Sequence, residues 1–168
     1  MTPDKKLSDH FTLYQLTRTD HSDLQEENRH VTEEEENKLK AVAGLLETGM
    51  DILQLELDIH SGRRYLELNK RVGGSERSQH LKCEAVDFSS KGPDTENSVN
   101  AIFSQLVVAA NYDKIKFGQL IVESVNQGRE GRKFWVHISL GAPYRHASRC
   151  GQCLRMKDGK YEMVATIA

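Results

Sequence analysis

The chain has 168 residues, 38% of them hydrophobic, which suits one domain with a real core and is too short for two comfortable ones. Lysine plus arginine number 23 against 25 aspartate plus glutamate, a net charge of -2, so no global field recruits nucleic acid or an anionic membrane. No apolar run of about 18 residues and no signal peptide is visible, and the three cysteines do not resemble a disulfide framework, so neither a membrane span nor an oxidising site of synthesis is expected.

In chain order, Thr12 and Gln15 form a capping box, and Phe11 and Leu16 stand where a hydrophobic staple packs, so a short helix opens the domain. Thr32 and Glu35 make a second capping box, and the acidic run after Thr32 suits a first turn facing the helix dipole. Leu39, Val42, Ala43 and Leu46 then follow at helical spacing, with Gly49 as the expected stop. "LQLELDI" alternates, which predicts a strand with Leu53, Leu55, Leu57 and Ile59 on one buried face. A third helix is expected over roughly residues 64–72, and a fourth from Asp94 or Thr95 with Ile102, Phe103, Leu106 and Ala110 toward the core. "EAVDF", "GQLIVES" and "KFWVHISL" are further strands, the last two joined by a glycine-containing hairpin loop. Helices first, then strands with one helix inserted, predict a single α+β domain: an antiparallel sheet with helices packed on one side.

Strand alternation separates a core face from a polar one. Phe134, Val136, Ile138 and Leu140 share one face, and Trp135, His137 and Ser139 share the other. Leu120 and Val122 turn inward, which leaves Gln119, Ile121 and Glu123 on the polar side, where the hairpin can bring Glu123 near His137. Asp87 lies opposite Val86 and Phe88, and His80 comes from the turn before it. Two histidines, an aspartate and a spare glutamate have the composition of a catalytic zinc site: three ligands, a place for water, and a base for its proton. Periodicity alone favours a plainer reading of the same residues: a solvated loop histidine, a salt-bridge aspartate and an exposed cross-strand pair.

The segments "HFTLYQLTR" (10–18), "IHSGRRYLELNKRVGGS" (59–75), "SQHLKCEAVDF" (78–88), "GQLIVE" (118–123) and "WVHIS" (135–139) resemble, in order, the zinc D-alanyl-D-alanine carboxypeptidases and related cell-wall peptidases, a group that includes phage L-alanyl-D-glutamate endolysins. The likeness covers roughly residues 7–141 of the domain and leaves 142–168 as a C-terminal extension. It implies the hedgehog/D-Ala-D-Ala peptidase-like fold, with His80, Asp87 and His137 as zinc ligands, Glu123 as general base, and Arg64 beside the substrate. Ser78 and Gln79 are then expected to orient a D-amino-acid-containing peptide, with Trp135 as a cleft wall. Three departures stand out: Cys83 replaces a family glycine, Arg63 a tyrosine, and Gly118 an aspartate. Many relatives place the base three residues before the last histidine, which is Phe134 here, so the base falls to Glu123 or, as the lesser choice, Glu130.

The implied function is a zinc peptidase of peptidoglycan, a carboxypeptidase or an endopeptidase. The alternatives are a virion or scaffold protein that keeps the fold without turnover, and a peptidoglycan-binding module. With no visible leader and a substrate outside the membrane, a phage lysin or virion-borne enzyme fits best, and a cytoplasmic dipeptidase comes next. Cys150, Cys153 and His146 fall one ligand short of a second metal site and are expected to be unpaired tail residues.

Overall fold

The computed structural model describes residues 4–168. One six-stranded sheet organises it, in the order β1 (Leu57–Ser61), β2 (Ala85–Ser90), β4 (Arg132–Ser139), β3 (Gln119–Asn126), β5 (Gln152–Lys157) and β6 (Lys160–Thr166). Helices α3 (Glu33–Leu53) and α5 (Glu96–Asn111) pack together, and α5 covers β2, β3 and β4. Between them lie Val86, Phe88, Leu120, Val122, Val136 and Ile138 from the sheet, with Leu39, Val42, Leu46, Val99, Ile102 and Leu106 from the helices, all buried. Each such side chain contributes about 1.5–3 kcal/mol by leaving water, more than the roughly 1 kcal/mol of a helix cap, so this layer rather than capping fixes the fold. Of the short helices, α1 (Leu13–Thr17) packs on β1 and on α2 (Gln25–Arg29), and α4 (Leu66–Arg71) packs on the turn at residues 79–82. No helix among the described residues is long and apolar enough to cross a membrane.

The capping boxes at Thr12 and Thr32 form as their spacing predicts, with both reciprocal hydrogen bonds present in each. The second helix does not stop at Gly49. It runs on to Leu53 and ends at Gln54, which is left-handed at φ 53°. Leu53 is seven residues beyond Leu46, so it continues the helix stripe into the core, and that burial outweighs the roughly 1 kcal/mol that an internal glycine costs. The strand expected from Leu53 is therefore shorter: Leu53 belongs to the helix, Leu55 is 42% exposed, and β1 begins at Leu57. Helix α4 is likewise shorter than expected, which leaves Arg64 in the loop before it.

The sheet is mixed rather than antiparallel throughout. β3 and β5 run parallel, with Gln119 opposite Gln152 and Glu123 opposite Met156. The cause lies in the C-terminal extension. After β4 the chain crosses through residues 140–151 and returns along the free edge of β3 in the direction of β3 itself, and then β6 folds back on β5. Asp158 and Gly159, both at positive φ, make the tight turn between them, and an Asp-Gly pair between alternating runs is a hairpin signal that the sequence carries. Cys153, expected in a tail, is a fully buried core residue of β5, and burial pushes its thiol up to about 11.

Candidate metal centre

β2 and β4 pair with Asp87 opposite His137, so both side chains rise from the sheet face that the helices leave open. His80 comes from a single 3-10 turn, Gln79–Lys82, capped by Ser78, whose Oγ accepts from the His80 backbone N–H at 3.3 Å. The turn ends at Cys83 with φ 58° and ψ 31°, a left-handed angle ordinarily left to glycine. That reversal is what feeds the chain into β2 with Asp87 facing His80. Cysteine holds the angle here because its side chain is fully buried in the main core, and burial pushes the thiol up to about 12, so it stays protonated.

His80 Nε2 lies 3.2 Å and His137 Nδ1 2.9 Å from the same oxygen, Asp87 Oδ1. The two rings meet edge to face at 5.1 Å between centroids, and one donor atom from each of the three residues falls within 4.8 Å of the others. All three residues are buried, and they form the one group of potential ligands found among the described residues.

The outward nitrogens are held by carbonyl oxygens: His80 Nδ1 by Gly62 O at 2.7 Å, and His137 Nε2 by Gln79 Oε1 at 2.9 Å. The Gln79 amide is itself oriented, since its nitrogen donates to Ser139 Oγ at 3.0 Å. A carbonyl only accepts, so each of these ring nitrogens must carry the proton. The inward nitrogens then present bare lone pairs to a carboxylate, a repulsive arrangement unless a proton or a cation sits among them. Second-sphere carbonyls that fix the imidazole tautomer are the usual support of metal-binding histidines.

Arg64 takes the other carboxylate oxygen, its Nη2 donating to Asp87 Oδ2 at 2.9 Å and its Nε to Ser61 Oγ at 2.9 Å. Asp87 is thus left one free oxygen, and Nη1 of Arg64 keeps its donors for the cleft. Burial works against the charge on Asp87, but the adjacent histidines outweigh it and hold the carboxyl far below the usual range. Burial keeps His80 neutral by lowering its pKa. For His137 burial pulls the same way but is overcome by Asp87 and then Glu123, and the pKa rises.

The loop carrying Arg64 is clamped from below by a residue that no sequence motif marks. Asn28 Nδ2 donates to the carbonyls of Thr17 and Arg63, at 2.6 and 2.9 Å, and its Oδ1 accepts from Tyr65 N–H at 3.0 Å. Arg63 returns the clamp by donating to the Glu27 and Asn28 carbonyls. Arg63, standing where the family has tyrosine, is therefore a buried brace for Arg64.

Glu123 lies on β3 opposite Trp135, while His137 faces Ile121, so the glutamate is offset from the histidine by one step along the same open face. Only 8% exposed, it has its pKa raised to about 7, first by burial and then by the charge of Asp87. The indole N–H of the neighbouring Trp135 is buried without a hydrogen-bond partner among the described residues. Glu130 is exposed in the hairpin turn beside Lys133 and does not reach the cleft.

These residues floor a cleft of about 1190 Å³. Arg64, Ser78, Gln79, Glu123 and Trp135 all line it with the three candidate ligands, and so do Arg145, Met156 and Tyr161 from beyond β4. A sequence profile described as Peptidase M15 matches residues 10–139, which contain every one of these groups except the last three. The chain belongs to the M15 peptidase family. No curated protein matches it. As an M15 peptidase it is a metallopeptidase, and the buried His80, Asp87 and His137 are its group that can bind a metal.

Zinc suits this donor set of two imidazoles and a carboxylate, with one side open to the cleft. Because the pKa of His137 is raised, its proton competes with metal at pH values where an ordinary histidine has already lost it. Zinc affinity is expected to drop by roughly tenfold per pH unit once His137 is protonated, with His80 adding little until lower pH. Calorimetric titration at a series of pH values measures this, and an affinity that stays flat through the histidine range would remove His137 from the ligand set.

Proposed function

We propose that this M15 peptidase hydrolyses D-amino-acid-containing peptide bonds of bacterial peptidoglycan, with zinc held by His80, Asp87 and His137. The carrying observation is the pairing of that buried ligand group with Glu123, a buried carboxylate at the floor of the same cleft with its pKa raised to about 7. Zinc bound there supplies a Lewis acid for the scissile carbonyl and lowers the pKa of water. Glu123 accepts the proton from the attacking water and passes it to the leaving amine, a task suited to a carboxylate poised near neutral pH. Arg64 offers Nη1 to a substrate carboxylate while Nη2 holds Asp87 in place. Gln79 positions His137, Ser78 shapes the turn under His80, and Trp135 walls the cleft beside Glu123.

Departures from the family at Cys83 and Gly118 are the features that could favour a scaffold without turnover. Neither speaks for it, because Cys83 takes up the left-handed angle of the glycine it replaces and Gly118 gives room to a neighbour, Arg145. The expected setting is the cell wall, with release by a phage as the favoured route.

Digestion of purified muropeptides followed by mass spectrometry tests the reading. Loss of a D-residue or a cut within the stem is expected with zinc, and none with a chelator. A zinc-loaded chain that leaves every muropeptide intact would overturn it.

A further inference from the structure

The family match ends at Ser139, yet the crossing segment after β4 supplies one wall of the cleft. Two arginines stand in that wall. Arg145 is half-buried, with its Nε donating to the Arg149 carbonyl at 2.8 Å and its Nη2 to Gln152 Oε1 at 3.3 Å. Both acceptors are neutral, and Nη1 has no partner among the described residues. Arg149 is exposed on the same wall and forms no ion pair among them either.

The cleft carboxylates are committed elsewhere. Glu84 is paired with Lys38 at 3.1 Å, Asp87 with Arg64 at 2.9 Å, Glu123 lies at the opposite end of the floor, and Glu76 is exposed on the facing wall with Arg77 and Lys82. This end of the cleft is cationic: neither arginine forms an ion pair among the described residues, and Glu84, the carboxylate whose charge reaches Arg145, is already paired with Lys38. Burial is the largest influence on Arg145 and disfavours its cation, with Arg149 adding to it and Cys150 and Glu84 opposing, so an anion placed there offsets the cost of burial.

The placement is built rather than incidental. A Cβ at residue 118 would come within 3.0 Å of Arg145 Cδ and 2.9 Å of Ser139 Oγ, and would run into the Leu140 carbonyl. Glycine at 118, where the family resemblance has aspartate, is required first by the close approach of the Leu140 carbonyl, and it also leaves room for the Arg145 side chain beside β3. Gln152 is fixed in turn by Gln119, whose amide nitrogen donates to Gln152 Oε1 at 3.0 Å. This network joins the metal centre through Ser139, which accepts from both Gln119 N–H and Gln79.

We propose that Arg145 and Arg149 form an anion subsite for a carboxylate of the peptide substrate, about two residues from the scissile bond, so that the chain selects acidic peptides. The spacing follows from the sheet: Arg145 Cδ lies against Gly118, which hydrogen-bonds the Ser139 carbonyl, and Ser139 is two residues beyond His137 on the same face, roughly 7 Å, the span of about two extended residues. A planar guanidinium with a free edge, beside a second one, suits the two oxygens of a carboxylate. This subsite rests on the peptide-hydrolysing reading of the same cleft.

Two synthetic D-residue peptides test it, identical except that a carboxylate two residues from the scissile bond is a carboxamide in one. Binding to the zinc-loaded chain is measured by calorimetry and hydrolysis by chromatography. The parent is expected to favour the acid over the amide by about 10- to 100-fold in Kd and in kcat/KM. Arg145→Gln should abolish that preference mainly through KM, with zinc content unchanged, and Arg145→Lys should keep part of it. A parent that treats the two peptides alike, or an Arg145→Gln chain that weakens both equally, overturns the subsite. If the acid peptide is bound preferentially through Arg145 but not cut, the subsite stands and the hydrolytic reading fails. If both peptides are cut without preference, the hydrolytic reading stands and the subsite fails; if neither is bound, both fail.

Discussion

Glu123→Gln is expected to leave zinc in place while hydrolysis falls by about 10²–10⁴-fold, the range for removal of a general base. The amide has nearly the same shape as the carboxyl group and Glu123 is not among the three inner donors, so metal content should match the parent. What disappears is the proton acceptor. A bound dication will draw the Glu123 pKa below the value of about 7 set by burial and Asp87, so the acid limb of the parent's pH–rate profile should lie below neutrality and be absent from the residual activity of the variant. Stability gives an independent reading with the opposite sign. The carboxyl's folded pKa is raised, so the metal-free parent loses stability as pH climbs from the ordinary carboxylate range toward 7, and the loss persists above it. An amide does not titrate, so metal-free Glu123→Gln should melt above its parent at neutral pH. Equal rates in the two chains would show that the base lies elsewhere.

His137→Ala should abolish zinc binding and hydrolysis together. It removes one of three inner donors, strands the Gln79 amide oxygen, and leaves Asp87 with one imidazole fewer against its buried charge. The loss of affinity should exceed the about 10–100-fold typical of outer-shell changes, the range expected for Gln79→Ala, which touches His137 only from behind. Zinc titration of the three chains measures both, and a His137→Ala chain that binds zinc like the parent would contradict the ligand set.

The side-chain faces of this site were legible in the sequence because strand alternation is strict around Asp87, Glu123 and His137. Pairing was not. β2 and β4 are neighbours although α5 and β3 lie between them in the chain, and no local pattern states that Asp87 stands opposite His137. Alternation puts Glu123 on the open face near His137, and the register sets it opposite Trp135, one step away. Leu53 and Leu55 satisfied a strand pattern and Leu53 a helical one, and burial against the core decided for the helix. The extension was readable in part, since Asp158-Gly159 marks a hairpin, but nothing local announces that β5 would run parallel to β3 and carry Arg145 to the cleft. Asn28 shows the limit most plainly: two of its three hydrogen bonds hold the Arg64 loop, and the third ties it to Thr17, from a helix far away in sequence.

Stepwise reloading of the metal-free chain with zinc, with peptide hydrolysis followed at each addition, tests the central claim most directly. Activity should rise in proportion to added zinc and level off at about one equivalent per chain, with one tight site seen in parallel by calorimetry. Hydrolysis at full rate before any zinc is added, or a chain that binds no zinc, would contradict it.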